Sequence, residues 1–107
     1  MVPSKLVRDI GFIISELNKP KLLYVAAWLS PHDDFTGRER YVLNVRMAHQ
    51  IESRFSEHAA IFNVLRERLT PPVLAKISRV AVHNPKDYVP NNYDDVSVFE
   101  HEDLVEF

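Results

Sequence analysis

Residues 30–34 read Ser-Pro-His-Asp-Asp, and Arg38 and Arg40 follow closely. An imidazole beside two carboxylates is a donor set that suits a hard divalent cation. Guanidinium groups beside it suit phosphate. The competing reading is an exposed turn, because Ser, Pro and Asp populate turns for purely local reasons. His32, Asp33, Asp34, Arg38 and Arg40 are therefore candidate ligand-binding residues, with no metal assigned. His83 joins them because it ends an alternating stretch, Arg-Val-Ala-Val-His at 79–83. It reaches Asp33 or Asp34 only if its strand neighbours the one before the loop.

Other reactive groups are poorly placed for chemistry. No histidine pair has the HExxH spacing, and His49 and His58, nine residues apart, would face opposite ways on a continuous helix. No serine sits in a GxSxG setting. The two glycines, Gly11 and Gly37, are too few and too far apart for a phosphate-cradling loop. The absence of cysteine excludes disulfides, thiolate zinc sites and cysteine nucleophiles. No catalytic residue is identified and no cofactor is expected.

Charge is divided unevenly along the chain. Residues 94–107 hold six carboxylates and no Lys or Arg, whereas the first 93 carry 13 basic and 9 acidic groups. The acidic end folds back on the basic body or faces a basic partner. Tyr93, Asp94, Asp95, Phe99, Glu102, Asp103 and Phe107 mix acid with apolar surface there and are candidate partner-binding residues. Arg38, Arg40, Arg46, Arg54, Arg66 and Arg68 would project in many directions on helices, which disfavours a nucleic-acid face. A net charge of −2 points the same way.

The elements that position these groups follow from periodicity. Leu6, Ile10, Ile13 and Leu17 recur at helical spacing behind Ser4 as N-cap, and Asn18-Lys19-Pro20 ends that helix. Residues 21–29, Lys-Leu-Leu-Tyr-Val-Ala-Ala-Trp-Leu, are apolar on both alternating sets, as a strand covered on both faces would be. Thr36 and Glu39 have capping-box spacing. A helix is expected after them, with Tyr41, Val45, Ala48, Ile51 and Phe55 buried and Arg40, Asn44 and Arg54 facing water. Residues 56–69 read as helix, with a strand at 59–65 as the alternative. Thr70-Pro71-Pro72 starts a short helix, residues 79–83 and 96–99 read as strands, and 84–95 must be loop.

The predicted fold class is α/β or α+β. A single-layer sheet of about three strands carries three or four helices, with 21–29 as its central buried strand, in one domain spanning 1–107. The longest apolar run is eight residues, whereas a membrane span needs about 20. The first residues lack a signal-peptide pattern. The expected location is cytoplasmic.

Leu23-Tyr24-Val25-Ala26, then Ser30-Pro31-His32, Arg40 and the apolar stretch to Ala48 resemble the opening of nucleoside 2-deoxyribosyltransferase-like proteins, including short phage-encoded relatives. The resemblance covers about a third of the chain and implies an opening strand, a polar loop and a helix. Ala27-Trp28-Leu29 stand between the strand's alanine and the proline, and no glutamate has the glycine-flanked setting of the family's nucleophile. What the resemblance implies is therefore a shared fold without the catalysis.

Two functions are expected from these features. The first is a small non-catalytic accessory or protein-interaction protein, phage- or mobile-element-encoded, that binds or inhibits a protein partner or associates with itself. The alternative is a nucleotide- or nucleoside-binding domain, a degenerate deoxyribosyltransferase-like enzyme.

Overall fold

The computed structural model describes residues 2–33, 39–90 and 92–101. Helix α1 (Ser4–Leu17) buries Leu6, Ile10, Ile13 and Ile14, the stripe that its spacing demands. Its N-cap is Pro3 rather than Ser4, and no side chain caps it. Asn18 secures the other end. Its Oδ1 accepts from the backbone N–H of Leu23 and Tyr24, and its Nδ2 donates to the Tyr24 carbonyl. One amide thus splices the helix to strand β1 (Tyr24–Asp33).

Strand β2 (Glu39–Met47) runs antiparallel to β1, in register from Ala26 opposite Arg46 to Asp33 opposite Glu39, with a shift before the pair Tyr24 and Met47. Here the structure corrects the sequence reading, which placed a helix after Thr36. Tyr41, Leu43, Val45 and Met47 share the core face while Asn44 and Arg46 take the other. This is a period of two. Tyr41, Val45 and Ala48 also fit a helical spacing, which is why the segment misleads. Pairing on both edges of β2 decides between the two.

Helix α2 (Arg54–Arg68) and the short helix α3 (Pro71–Leu74) connect β2 to strand β3 (Ile77–His83), which pairs parallel with β2. Ser53 caps α2 by accepting from the Ser56 N–H, and Arg66 and Arg68 complement its C-terminal dipole. The strand alternative for 59–65 is thereby removed. Thr70 precedes Pro71 at the first position of α3, as expected. Phe55, expected in the buried stripe, is 82% exposed, because Ile61 and Leu65 form the buried face of α2.

Strand β4 (Val96–Glu100) adds antiparallel to the other edge of β1, giving the order β3-β2-β1-β4. The fold is α+β, with one four-stranded sheet and three helices among the described residues. Ile10, Ile14, Leu29, Leu43, Ile61 and Leu65 fill one core on the helix side. β1 is an inner strand, but only Val25, Ala27 and Leu29 of its alternating sets are buried; Ala26, Trp28 and Ser30 are half-exposed. Tyr24 is also buried, since a register shift separates it from Ala26. The strand covered on both faces is β2, where Tyr41 through Val45 are all buried. Among the described residues no helix is long and apolar enough to cross a membrane.

Candidate functional site: the open sheet face and its strap

The face of the sheet turned away from the helices is a grid fixed by strand register. One row reads His83, Arg46, Ala26, Glu100 across β3, β2, β1 and β4. The next reads Ala81, Asn44, Trp28, Ser97. Side chains in adjacent rows and columns lie within contact distance of one another.

The polar groups of this grid are joined. Asn44, only 7% exposed, donates from Nδ2 to Ser30 Oγ at 3.0 Å. Its Oδ1 lies 3.0 Å from His83 Nε2. With the Asn44 amide oriented in this way, the imidazole is the donor and carries its proton on Nε2. Trp28 stacks on the His83 ring, with centroids 5.6 Å apart and planes 14° from parallel. Burial, then the Arg46 guanidinium, pull the His83 pKa below the ordinary imidazole value; Asp87 opposes them, while Arg54 and Arg79 add to the lowering. The ring is thus kept neutral beside a permanent cation.

Residues 84–95 must carry the chain from β3 at one edge to β4 at the other. Residues 84–90 and 92–95 form a strap over this face. Arg46 fixes the start of it, with Nη1 donating to the carbonyls of Asn84, Pro85 and Asp87 at 3.0–3.1 Å. Asn84, 4% exposed, accepts the Ile51 N–H at its Oδ1. Asp87 Oδ2 accepts from the Asn84 N–H and from Arg54 Nη2 at the start of α2. The far end closes with a reciprocal turn, in which the Asn92 N–H donates to Asp95 Oδ2 and the Asp95 N–H to the Asn92 carbonyl. Between these anchors Tyr88 is 89% exposed and Tyr93 fully exposed. A hollow of about 370 Å³ lies between strap and sheet, above Ala26 and beside Trp28.

The structure distributes the sequence-predicted residues as follows. His32 is exposed near the end of β1, opposite Arg40. Asp33 closes β1. Asp34 and Arg38 lie outside the described residues. Arg40 turns away to the β3 side, where Nε donates to the Ala75 carbonyl and Nη2 to that of Ile77. His83 is not brought to His32 and Asp33. Its strand is separated from β1 by β2, and it aligns with Ala26, six residues from His32 along the strand, or about 20 Å. Among the described residues no three His, Asp or Glu side chains gather as a metal site.

Of the expected partner-binding residues, Tyr93 and Asp94 are exposed and Asp95 is half-buried. Phe99 is half-buried against the core. Glu102, Asp103 and Phe107 lie outside the described residues. Sequence reasoning missed Ala26, Asn44, Arg46 and Tyr88. The signal for Asn44 and Arg46 was present in the alternation of residues 41–47, which assigns both to one face once the segment is a strand. No family model, curated protein or solved structure matches this chain.

Proposed function

We propose that the chain is a non-catalytic protein-interaction module and that the strap is its partner-binding surface. The observation that carries this reading is the exposure of Tyr88 and Tyr93 on a segment whose start is bonded to Arg46 and whose end runs into the paired strand β4. Exposed tyrosines offer large amphipathic contact area with few rotamers to freeze. Pinned ends mean that little backbone entropy is lost when a partner docks. Rigid presentation of aromatic side chains on a loop is how many scaffolds build recognition surfaces.

The experiment is to place a photo-crosslinking aromatic residue at 88, 93, 12 or 55, one position at a time, in cells where the chain is native. Positions 12 and 55 are exposed phenylalanines on the helix side and serve as controls. The same single species should be captured from 88 and 93 and not from 12 or 55. Each Tyr→Ala change should weaken its binding by about 1–2 kcal/mol, or roughly five- to thirty-fold. Capture from the helix-side positions alone, or from none, would sink the reading.

A further inference from the structure

We infer that the hollow beneath the strap receives an arginine side chain of the partner. The inference rests on the strap being the partner-binding surface and names the group that the surface reads.

The hollow exists because of one small residue. In the row His83, Arg46, Ala26, Glu100, three side chains are long and the fourth is a methyl. Ala26 therefore leaves a gap floored by the sheet, with Trp28 at its side and Val89 and Asp95 of the strap lining it. Its volume, about 370 Å³, lies at the low end of the range for specific ligand pockets, roughly 300–1,000 Å³.

The chemistry of the walls selects the occupant. Glu100 is exposed on β4 and lines the hollow together with Asp95. Asp95 uses Oδ2 for the Asn92 N–H, whereas its Oδ1 is shut away from solvent with no hydrogen-bond donor among the described residues. A buried carboxylate oxygen without a donor is costly. The hollow is thus lined by two carboxylates and one cation, Arg46, whose Nη1 donates to three strap carbonyls. Trp28 supplies an aromatic surface backed by the His83 ring. Carboxylates beside an indole are the partners of a planar cation with several N–H donors, and guanidinium matches both better than a compact ammonium does. Arginine side chains filling pockets are common anchors of protein interfaces. The excess of acid over residues 94–107 supplies a long-range attraction for a basic partner segment.

Trp28 is the only tryptophan, so its fluorescence reports on the hollow directly. The native chain is titrated with N-acetyl-arginine methylamide, and the same titration is run with the capped lysine and the capped citrulline. The expected result is a saturable change for arginine in the millimolar range, a several-fold weaker one for lysine and none for citrulline, which is neutral but similar in shape. Asp95→Asn keeps an oxygen for the Asn92 N–H and should weaken arginine at least ten-fold. Glu100→Gln, on an exposed position, should weaken it several-fold, and it decides the matter if the Asp95 variant melts early. Ala26→Leu should abolish the response by filling the gap. Equal binding of citrulline, or arginine binding indifferent to both carboxylate changes, overturns the inference. If crosslinks from 88 and 93 persist while capped arginine fails to bind, the hollow is not the receptor and the strap interface stands. If capped arginine binds while those crosslinks fail, the interface reading falls and the guanidinium site remains.

Discussion

At the scale of single residues, His83 is the group whose state depends most directly on its neighbours. Burial and the Arg46 charge disfavour its protonated form. In the unfolded chain the same imidazole titrates near about 6.5. Between that value and the lower folded one, the unfolded state binds more protons, so stability falls as pH drops through this window. Above the unfolded value both states are neutral and the effect vanishes. Thermal melts from pH 7.5 to pH 5 should therefore show the native chain losing more stability than His83→Gln. The chain holds four other histidines, so the quantity to measure is the difference between the two proteins. Parallel pH profiles would show that His83 is not the sensitive group.

At the scale of elements, α1 and β4 approach each other closely at Gly11. The pairing of β4 with β1 shifts register after Phe99 and resumes at Ser97, which leaves Val98 as the extra residue. Its carbonyl points at α1, and a Cβ on Gly11 would sit 2.5 Å from that oxygen. Gly11 is therefore required by contact and not by backbone conformation. Gly11→Ala gains about 1 kcal/mol of helix propensity. Forcing the bulge backbone aside costs about 1–3 kcal/mol, and backbone yields less readily than a side chain. A net loss of up to about 2 kcal/mol is expected, read as a lower urea midpoint with unchanged m-value. A stabilised variant would show that the helix has room to move out.

The same scale shows what could be read from residues in order. The stripe of α1, the Thr70-Pro71 start of α3 and the alternation of 79–83 each depend on local rules, and each is found where expected. β2 failed because its apolar positions satisfy two periods at once, and only pairing with β1 and β3 separates them. The open-face site failed for the same reason one step later. Asn44 and Arg46 look like solvated helix residues until β2 is a strand, and Ala26 looks like ordinary core until its row is assembled. Proximity across strands is set by register, which no single segment carries. The loop at 30–40 drew attention because its chemistry is contiguous in sequence, whereas the strap site is assembled from four strands and a crossing.

For the whole molecule, the two sides of the sheet are held by different forces. The helix side is a close-packed apolar core centred on Leu43, which is fully buried. Among the described residues, the strap side is held by hydrogen bonds and by the ion pair of Arg54 and Asp87 at 2.8 Å, with both partners partly exposed. Exposed ion pairs contribute about 0–1 kcal/mol, so most of the strap's restraint falls on the charged donor Arg46. The two layers should therefore open separately, the strap by local excursions and the sheet only on global unfolding. Hydrogen exchange read by mass spectrometry can separate them. Leu43→Ala leaves a cavity in the apolar core and should lower protection throughout β1 and β2 by about 2–5 kcal/mol. Arg46→Ala removes the donor for three carbonyls. It should lower protection over the strap, and in the N–H groups it shelters, by about 1.5–3 kcal/mol, with the amides of β1 almost unchanged. If Arg46→Ala loosens β1 as much as Leu43→Ala does, the strap is part of one cooperative unit with the core.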